Sequence, residues 1–272
     1  MVQSFIIMLR EGLEAALIVA IVLAYLSRTQ RGQYFGQVWL GVAGAVVFSL
    51  LAGALVFITV GELEGKAEEI FEGVAMLAAV GVLTWMIGWM KRQAASLRRN
   101  LEQEVDTAVA SGAMWALVIL AFLSVAREGL ETVLFMFAAV TATSPLESLI
   151  GGSVGLLGAI ALGYTIYAGG RRINLRLFFS LSGVLLILIA GGLLAHGLHE
   201  LQEVGVLPAI VDEVWNIKHI LSDSEGPGSF LRGIFGYSDS PSLLEVVSYA
   251  AYLFIALWYF LRAPQRAREG SA

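Results

Sequence analysis

The chain consists of long apolar runs separated by mostly short polar connections. A membrane-crossing helix needs about 20 mostly apolar residues, and seven runs fit that length: 5–26, 36–60, 70–90, 113–142, 148–168, 176–196 and 244–262. The only long connection, residues 197–243, contains three Pro and several Gly. Within it, residues 208–221 carry apolar side chains at helical spacing, which predicts a short interfacial helix. The pattern therefore predicts an all-α polytopic membrane protein with seven transmembrane helices.

The composition agrees with a membrane protein and excludes other classes. The 272 residues are 58% hydrophobic and 14% charged, whereas soluble domains average roughly 45–50% apolar and about 25% charged residues. A net charge of −5 without a basic stripe argues against nucleic acid as a partner, and the absence of Cys excludes thiolate metal sites. Residues 1–9 lack Lys and Arg, and Arg10 interrupts the first apolar run. We therefore expect the N-terminus to belong to the first span and not to a cleaved signal peptide.

The basic residues predict the orientation of the chain. Lys and Arg are enriched in the cytoplasmic connections of membrane proteins. Of the 17 here, twelve lie in alternate connections and the C-terminus, three lie in the opposite set, and two lie within spans. The N-terminus is therefore expected outside and the C-terminus in the cytoplasm.

The chain also contains an internal repeat. Residues 5–18 read FIIMLREGLEAALI and residues 122–135 read FLSVAREGLETVLF, so the sequence Arg-Glu-Gly-Leu-Glu (the REGLE motif) recurs 117 positions later. A weaker similarity links Gly73 and Gly81 with Gly183 and Gly191. Two units of three spans would cross the membrane in opposite senses, because three is odd. This predicts a 3+3 inverted-topology repeat plus one C-terminal helix, the plan of many secondary transporters.

The predicted organisation has four parts. They are a first three-helix repeat with a cytoplasmic linker at 1–112, a second, inverted repeat at 113–196, an extracytoplasmic loop at 197–243, and a seventh helix with a cytoplasmic tail at 244–272.

Each REGLE motif places an arginine and two carboxylates on one helix. Residues three and four apart share a face, so the two Glu project together and the Arg reaches the second Glu. The small Gly between them allows another helix to approach closely. The charged residues are Arg10, Glu11 and Glu14 in the first motif and Arg127, Glu128 and Glu131 in the second.

The six charged residues of the two motifs lie inside predicted spans, where charge is energetically unfavourable. Each costs roughly 2.5–3.5 kcal/mol at the centre of a membrane helix. Together they would cost about 18 kcal/mol before pairing, which exceeds a typical folding stability of about 5–15 kcal/mol. Two Arg pair with two Glu and leave two carboxylates over. A cation site or pathway is therefore favoured over a purely structural ion-pair network. Carboxylate ligands without His, Cys or Met suit hard cations such as Ca²⁺, Mg²⁺, Mn²⁺ and ferric iron.

The paired motifs resemble the ferroxidase-coupled high-affinity iron permease family, which includes fungal iron permeases and bacterial EfeU-type permeases. Three further stretches resemble that family: residues 69–73, residues 196–203, and residues 235–245 at the start of the last span. The resemblance covers essentially the whole chain. It implies an iron permease of the plasma (bacterial inner) membrane that moves Fe(III), with Fe(II) as the other candidate, and that has no cofactor beyond the transported iron.

The resemblance also implies site residues and partners. The essential glutamates of the family correspond to Glu11, Glu14, Glu128 and Glu131, with Arg10 and Arg127 orienting them. The expected partners are iron, membrane lipid and a separate ferroxidase or periplasmic iron-delivery protein; a homo-oligomer is left open.

Further acidic residues and His lie at the predicted outer ends of spans three and six. Their spacing permits metal ligation and also simple packing. They are accessory candidates for metal access: Glu69, Glu72, His196, His199, Glu200 and Glu203.

Two other functions compete with transport. An intramembrane di-metal oxidoreductase is disfavoured because helical di-iron sites usually add a Glu-x-x-His pattern, which neither motif contains. A non-transporting cation receptor is disfavoured because it needs no mirrored half-sites. A transporter that is not an enzyme is thus the leading interpretation.

Overall fold

The computed structural model describes residues 1–61, 65–93, 97–111, 115–142, 145–167, 175–208, 211–223 and 226–262. Nine α-helices lie in these described ranges: α1 (Val2–Arg28), α2 (Phe35–Gly61), α3 (Lys66–Gln93), α4 (Leu97–Ala110), α5 (Ala116–Ala142), α6 (Pro145–Tyr167), α7 (Leu175–Glu203), α8 (Gly226–Phe235) and α9 (Leu243–Arg262). The predicted boundary at 112/113 and the tail beyond 262 lie outside the described residues.

The long helices confirm an all-helical, multi-pass membrane protein. Within the described part of the chain, α2, α3, α6, α7 and α9 are long and apolar enough to cross a membrane. α1 and α5, with 27 residues each, coincide with the other two apolar runs and carry the charged motifs. α2 exposes large apolar side chains, with Leu50 68% and Leu51 65% exposed, as expected of a helix that faces lipid.

The connection between α7 and α9 differs from the predicted one. The helix predicted at 208–221 is wrong, because the described residues of that stretch form bends and turns, and the helix in this connection is α8. Backbone groups there bond to a returning segment: the N–H of Val214 donates to the carbonyl of Pro241, and the N–H of Ile217 to that of Asp239, both at 2.9 Å. Pairing with a distant segment therefore replaces helical bonding within the stretch.

The same connection dips along α7. α8 is followed by Gly236, whose φ of 64° is unfavourable for other residues. Gly236 packs so closely on Gly192 that a methyl group built on Gly192 would lie 2.7 Å from the Cα of Gly236. Gly192 precedes the end of α7 by eleven residues, which is about 16 Å along the helix axis. Residues 235–236 thus contact α7 well below its end.

The helices that carry the motifs are central. α1 packs on α5 and α6, α5 packs on α2, α3 packs on α7, and α9 covers α7. A methyl group on Gly12 would lie 2.9 Å from the Cβ of Ala159 in α6, and one on Gly129 would overlap Ser49 in α2. The prediction that Gly12 and Gly129 permit close helix approach is therefore confirmed.

α4 lies outside this bundle and fastens the end of α1. It packs on both α1 and α5. Asp106 of α4 accepts hydrogen bonds from the Tyr25 hydroxyl at 2.5 Å and the Arg31 guanidinium at 2.8 Å. The Tyr25 hydrogen bond, together with Arg31, holds the pKa of Asp106 below its usual value.

Candidate metal site

The two REGLE motifs lie side by side in the interior, because α1 packs against α5. Their central residues are almost inaccessible: Arg10 is 2%, Glu11 1% and Glu128 5% exposed. Close packing of α6 at Gly12 and of α2 at Gly129 covers the far sides of the two helices. The local sequence thus places charge on the faces that meet and small residues where the neighbouring helices approach.

Three carboxylates from the two helices converge. Glu11 of α1 and Glu128 and Glu131 of α5 each offer an oxygen within 4.8 Å of the other two. Among the residues that the structure describes, no other group of three His, Cys, Asp or Glu side chains meets this geometry. Oxygens so close together repel one another unless protons or a cation lie among them.

Both arginines form ion pairs within their own motifs. Arg10 lies 2.6 Å from Glu11 through Nη1 and 3.0 Å from Glu14 through Nη2. On α5, the Nε of Arg127 lies 3.0 Å from Glu131 and 3.8 Å from Glu128. The predicted i, i+4 pairs are therefore present in both motifs, and each arginine also contacts the Glu that follows it directly.

Several carboxylate oxygens at this site have capacity left for a cation. Within the described residues, the buried Oε2 atoms of Glu11, Glu128 and Glu131 accept no hydrogen bond. Buried polar atoms almost always have a partner, and an exception points to an ion or a water. The three free oxygens belong to the three residues that converge, so the donor set fits a metal cation that accepts oxygen ligands.

Glu14 occupies a different position from the other three motif glutamates. It is buried, 8% exposed, yet it does not belong to the group of three within 4.8 Å. Its Oε1 forms the ion pair with Arg10 but lacks hydrogen-bond geometry in that contact. Glu14 lies within charge–charge range of Glu128 and Glu131. It therefore stands beside the converging carboxylates and not among them.

Two residues of α3, which sequence reasoning did not single out for the site, contact its arginines. The Nη1 of Arg10 lies 3.4 Å from the sulfur of Met86, and the Cζ of Arg127 lies 4.3 Å from the centre of the Trp89 ring. Trp89 belongs to the third apolar run, residues 70–90. Its position one turn from Met86 on a helix that is apolar on all sides gave no signal of this contact.

The outer acidic candidates come together where α3 and α7 pack. Gly73 and Gly197 allow these helices to approach closely, with a methyl on either residue lying 3.0 Å from the carbonyl oxygen of the other. This brings Glu72 within charge–charge range of Glu200, and Glu200 within range of Glu69 and Glu203. They form a loose acidic surface and not a compact set of ligands.

The two candidate histidines, His196 and His199, both bond to other residues of the protein. His196 accepts a 2.7 Å hydrogen bond at Nε2 from Arg232 of α8, and its ring also bonds to the backbone of Gly192. His199 lies between Glu245, 3.0 Å from Nδ1, and Glu203, 3.4 Å from Nε2. In this arrangement His196 fastens α8 to α7, and His199 links α7 to α9.

Glu245 is a third residue that the sequence did not single out. It caps α9: its carboxylate accepts from the N–H of Ser242 at 3.2 Å, while the N–H of Glu245 donates to the hydroxyl of Ser242 at 3.3 Å. This is a capping box, whose Ser-x-x-Glu pattern is visible in the sequence before the last apolar run. That signal could have identified the cap, though not its contact with His199.

Comparison with known proteins assigns the chain to a described family. The model of the family described as "Iron permease FTR1 family" matches residues 1–266. A Yersinia pestis protein named "Ferrous iron permease EfeU" is 41% identical over 274 aligned residues, covering 100% of this chain and 97% of that protein. The protein of that name in Escherichia coli O157:H7 is 39% identical over 273, covering 100% and 99% respectively. No solved structure matches the chain significantly.

Proposed function

The chain belongs to the iron permease FTR1 family, and on that premise we propose that it carries iron ions into the cytoplasm through the carboxylate site between α1 and α5. A permease is a transporter and not an enzyme. One observation carries the choice of site: Glu11, Glu128 and Glu131 converge within 4.8 Å, and each keeps a buried oxygen without a hydrogen bond in the described part of the chain.

Alternating exposure of an inverted repeat is the proposed mechanism. The helix contacts support it. In an inverted repeat α1, α2 and α3 correspond to α5, α6 and α7, so a contact of α1 with α6 requires one of α5 with α2, and both contacts are present. The close approaches are matched as well: Gly12 meets Ala159, and Gly129 meets Ser49. In this proposal the site lies at the interface of the two units, where rocking of one against the other exposes it to each side in turn.

Charge balance favours Fe(II) as the ion that binds. Four ionised Glu and two Arg give the motifs a formal charge of −2. A divalent ion neutralises this charge, whereas a trivalent ion leaves a buried positive charge, which is costly. The relatives' printed name, "Ferrous iron permease", agrees with this choice. Fe(III), the ion that the family resemblance suggested first, is the competing substrate. Uptake of Fe(II) would not require a separate ferroxidase as a partner.

The arginines and the outer acids have proposed supporting roles. Arg10 and Arg127 hold the glutamates in place and limit their mutual repulsion before iron arrives. The acidic surface around Glu72 and Glu200 raises the local concentration of cations at the outer side, given the predicted orientation with the N-terminus outside.

The test is metal uptake by purified protein in proteoliposomes. Uptake of Fe(II) kept reduced, Fe(III), Mn(II) and Zn(II) is compared for the wild type, Glu128→Gln and Glu131→Gln. Each substitution keeps the side-chain shape and should lower Fe(II) uptake by about tenfold or more, since even second-shell changes cost 10–100-fold at metal sites. Glu104→Gln, an exposed glutamate on α4, is the matched control.

Two results would contradict the proposal. Wild-type uptake by both Glu128→Gln and Glu131→Gln would remove the site from the transport path. Iron that binds the wild type but never enters sealed vesicles would identify a receptor. Faster uptake of Fe(III) than of Fe(II) would overturn only the choice of ion.

A further inference from the structure

Both arginines of the metal site are also held by α3, a helix that carries no REGLE motif. Arg10 comes from α1 and places its Nη1 3.4 Å from the Met86 sulfur. Arg127 comes from α5 and places its Cζ 4.3 Å from the centre of the Trp89 ring. Met86 and Trp89 are three residues apart and therefore share a face of α3. One helix face thus contacts the positive groups of both motifs.

The two contacts have a chemistry in common. A thioether sulfur is a weak, uncharged hydrogen-bond acceptor, and an aromatic ring attracts a guanidinium through its negative face. Neither group can neutralise an arginine, so neither draws it fully away from the glutamates. Met86 is completely buried, which leaves its sulfur no role in contact with solvent.

Iron binding creates a need for such contacts. Arg10 and Arg127 lie 2.6–3.0 Å from Glu11 and Glu131, the carboxylates that would bind the ion. A cation bound by the same carboxylates repels both guanidiniums, and the loss of ion pairs is costlier for Arg10, whose side chain is 3% exposed, than for Arg127, whose side chain is 36% exposed. Each arginine therefore needs a second interaction that persists when its carboxylate partners bind the metal.

We propose that Met86 and Trp89 are positioning residues that hold Arg10 and Arg127 when iron displaces them from the glutamates. The inference rests on the proposed function, since it assigns these residues to the transport site. In the empty site each arginine is shared between a carboxylate and α3. In the loaded site the arginine loses its share of the carboxylate and relies on α3, so the contact with α3 strengthens and the apparent affinity for iron depends on that gain.

The test separates affinity from rate in Fe(II) uptake by proteoliposomes. Trp89→Leu removes the ring and should raise the KM for Fe(II) by about threefold to thirtyfold, the range of cation–π interactions, while kcat changes by less than about twofold. Trp89→Phe keeps an aromatic face and should recover most of the affinity. Met86→Leu keeps the volume without the sulfur acceptor and should raise KM by a smaller factor.

A second Trp–Arg pair supplies the control. Trp258 lies under Arg262 on α9, 4.7 Å from ring centre to Cζ, and Arg262 belongs to neither motif. Trp258→Leu makes the same substitution in the same kind of pair and should leave KM unchanged. Thermal stability is measured for every variant, because a purely structural role would lower stability without changing KM. If Trp89→Leu folds poorly, Met86→Leu supplies the test, since it keeps the side-chain volume and removes the contact of the sulfur with Arg10; a wild-type KM in Met86→Leu would then overturn the inference.

The outcomes distinguish this inference from the function on which it rests. If Glu128→Gln abolishes uptake while Trp89→Leu and Trp89→Phe both keep the wild-type KM, α3 does not position the arginines and only this inference is overturned. If Glu128→Gln and Glu131→Gln transport normally, the site and this inference fall together. A raised KM in Trp89→Leu, recovered in Trp89→Phe and absent in Trp258→Leu, supports the inference.

Discussion

Replacing Gly129 with Ala tests the close packing that brings the motifs together. A methyl group at 129 would overlap the hydroxyl of Ser49 on α2 and lie 2.7 Å from its Cβ. Rotation of Ser49 moves the hydroxyl, which bonds to the carbonyl of Ala45 at 2.9 Å, but leaves the Cβ in place. The helices must therefore move apart to accept the methyl group.

The expected loss of stability follows from two opposing effects. Overpacking a closely packed site costs about 1–3 kcal/mol, and this contact belongs at the upper end because the Cβ cannot move away. Ala in place of Gly inside a helix returns about 1 kcal/mol. Gly129→Ala should thus lower the free energy of unfolding by about 2 kcal/mol, or roughly 4–8 °C in melting temperature. Gly81→Ala, where a methyl group meets nothing within 4 Å, should instead raise stability.

The assay is thermal unfolding in detergent, followed by tryptophan fluorescence, together with iron uptake. The double variant Ser49→Gly/Gly129→Ala exchanges the small residue between α2 and α5 and should recover most of the loss. The corresponding exchange between α1 and α6, Gly12→Ala combined with Ala159→Gly, should likewise recover most of the stability that Gly12→Ala alone loses. A Gly129→Ala protein as stable as Gly81→Ala, or one that Ser49→Gly does not rescue, would refute this account of the packing.

Three further predictions concern contacts around the bundle. Glu245→Ala removes the carboxylate half of the capping box of α9 and leaves the Ser242 hydroxyl in place; it should lower the free energy of unfolding by about 1–2 kcal/mol, and Glu245→Gln, which can still accept from the N–H of Ser242, should melt closer to the wild type. Arg232→Gln leaves the Nε2 of His196 without its donor and should cost about 1–3 kcal/mol, but clearly less in a His196→Phe background; equal costs in a double-mutant cycle would contradict the contact. Asp106→Asn should lower the melting temperature at pH 7 by a few degrees at most. Because the fold lowers the pKa of Asp106, its contribution is present above the unfolded value of about 3.9 and is lost as pH falls through the folded value, so the difference in melting temperature between the variant and the wild type should shrink as pH falls below about 3.9.

The apolar runs predicted the long helices well because the bilayer imposes a length that few other structures need. α6 begins at Pro145, which suits the first helical position, and α7 is followed by Gly205 with a φ of 77°, a common end of a helix. The stretch 208–221 failed for the opposite reason. Its periodicity is that of a helix, but its backbone instead pairs with residues 239–243. No local pattern reports partners that lie 22 to 32 residues away.

The motif predicted which side chains share a helix face but not how those faces meet. Helical spacing treats Glu11 and Glu14 alike, since both project from the same side of α1. The structure separates them, because the packing of α1 on α5 brings Glu11 within 4.8 Å of Glu128 and Glu131, whereas Glu14 stays outside that group. Which glutamate joins the central group is a tertiary property, and one sequence without its packing cannot supply it.

The contacts of α3 show where pattern-based reasoning must stop in a membrane protein. In a soluble helix the inward face is recognised because the outward face is polar. Lipid removes that contrast, so the apolar core of α3 is equally compatible with facing lipid or the arginines. Trp85 and Trp89 illustrate this: the rings stack with centroids 6.1 Å apart, yet Trp85 is 61% exposed while Trp89 contacts Arg127. The charged motif could be predicted because charged residues within the bilayer are costly and therefore rare. An apolar side chain that contacts the same site has no such cost in the bilayer, so the sequence does not distinguish it from the apolar residues that face lipid.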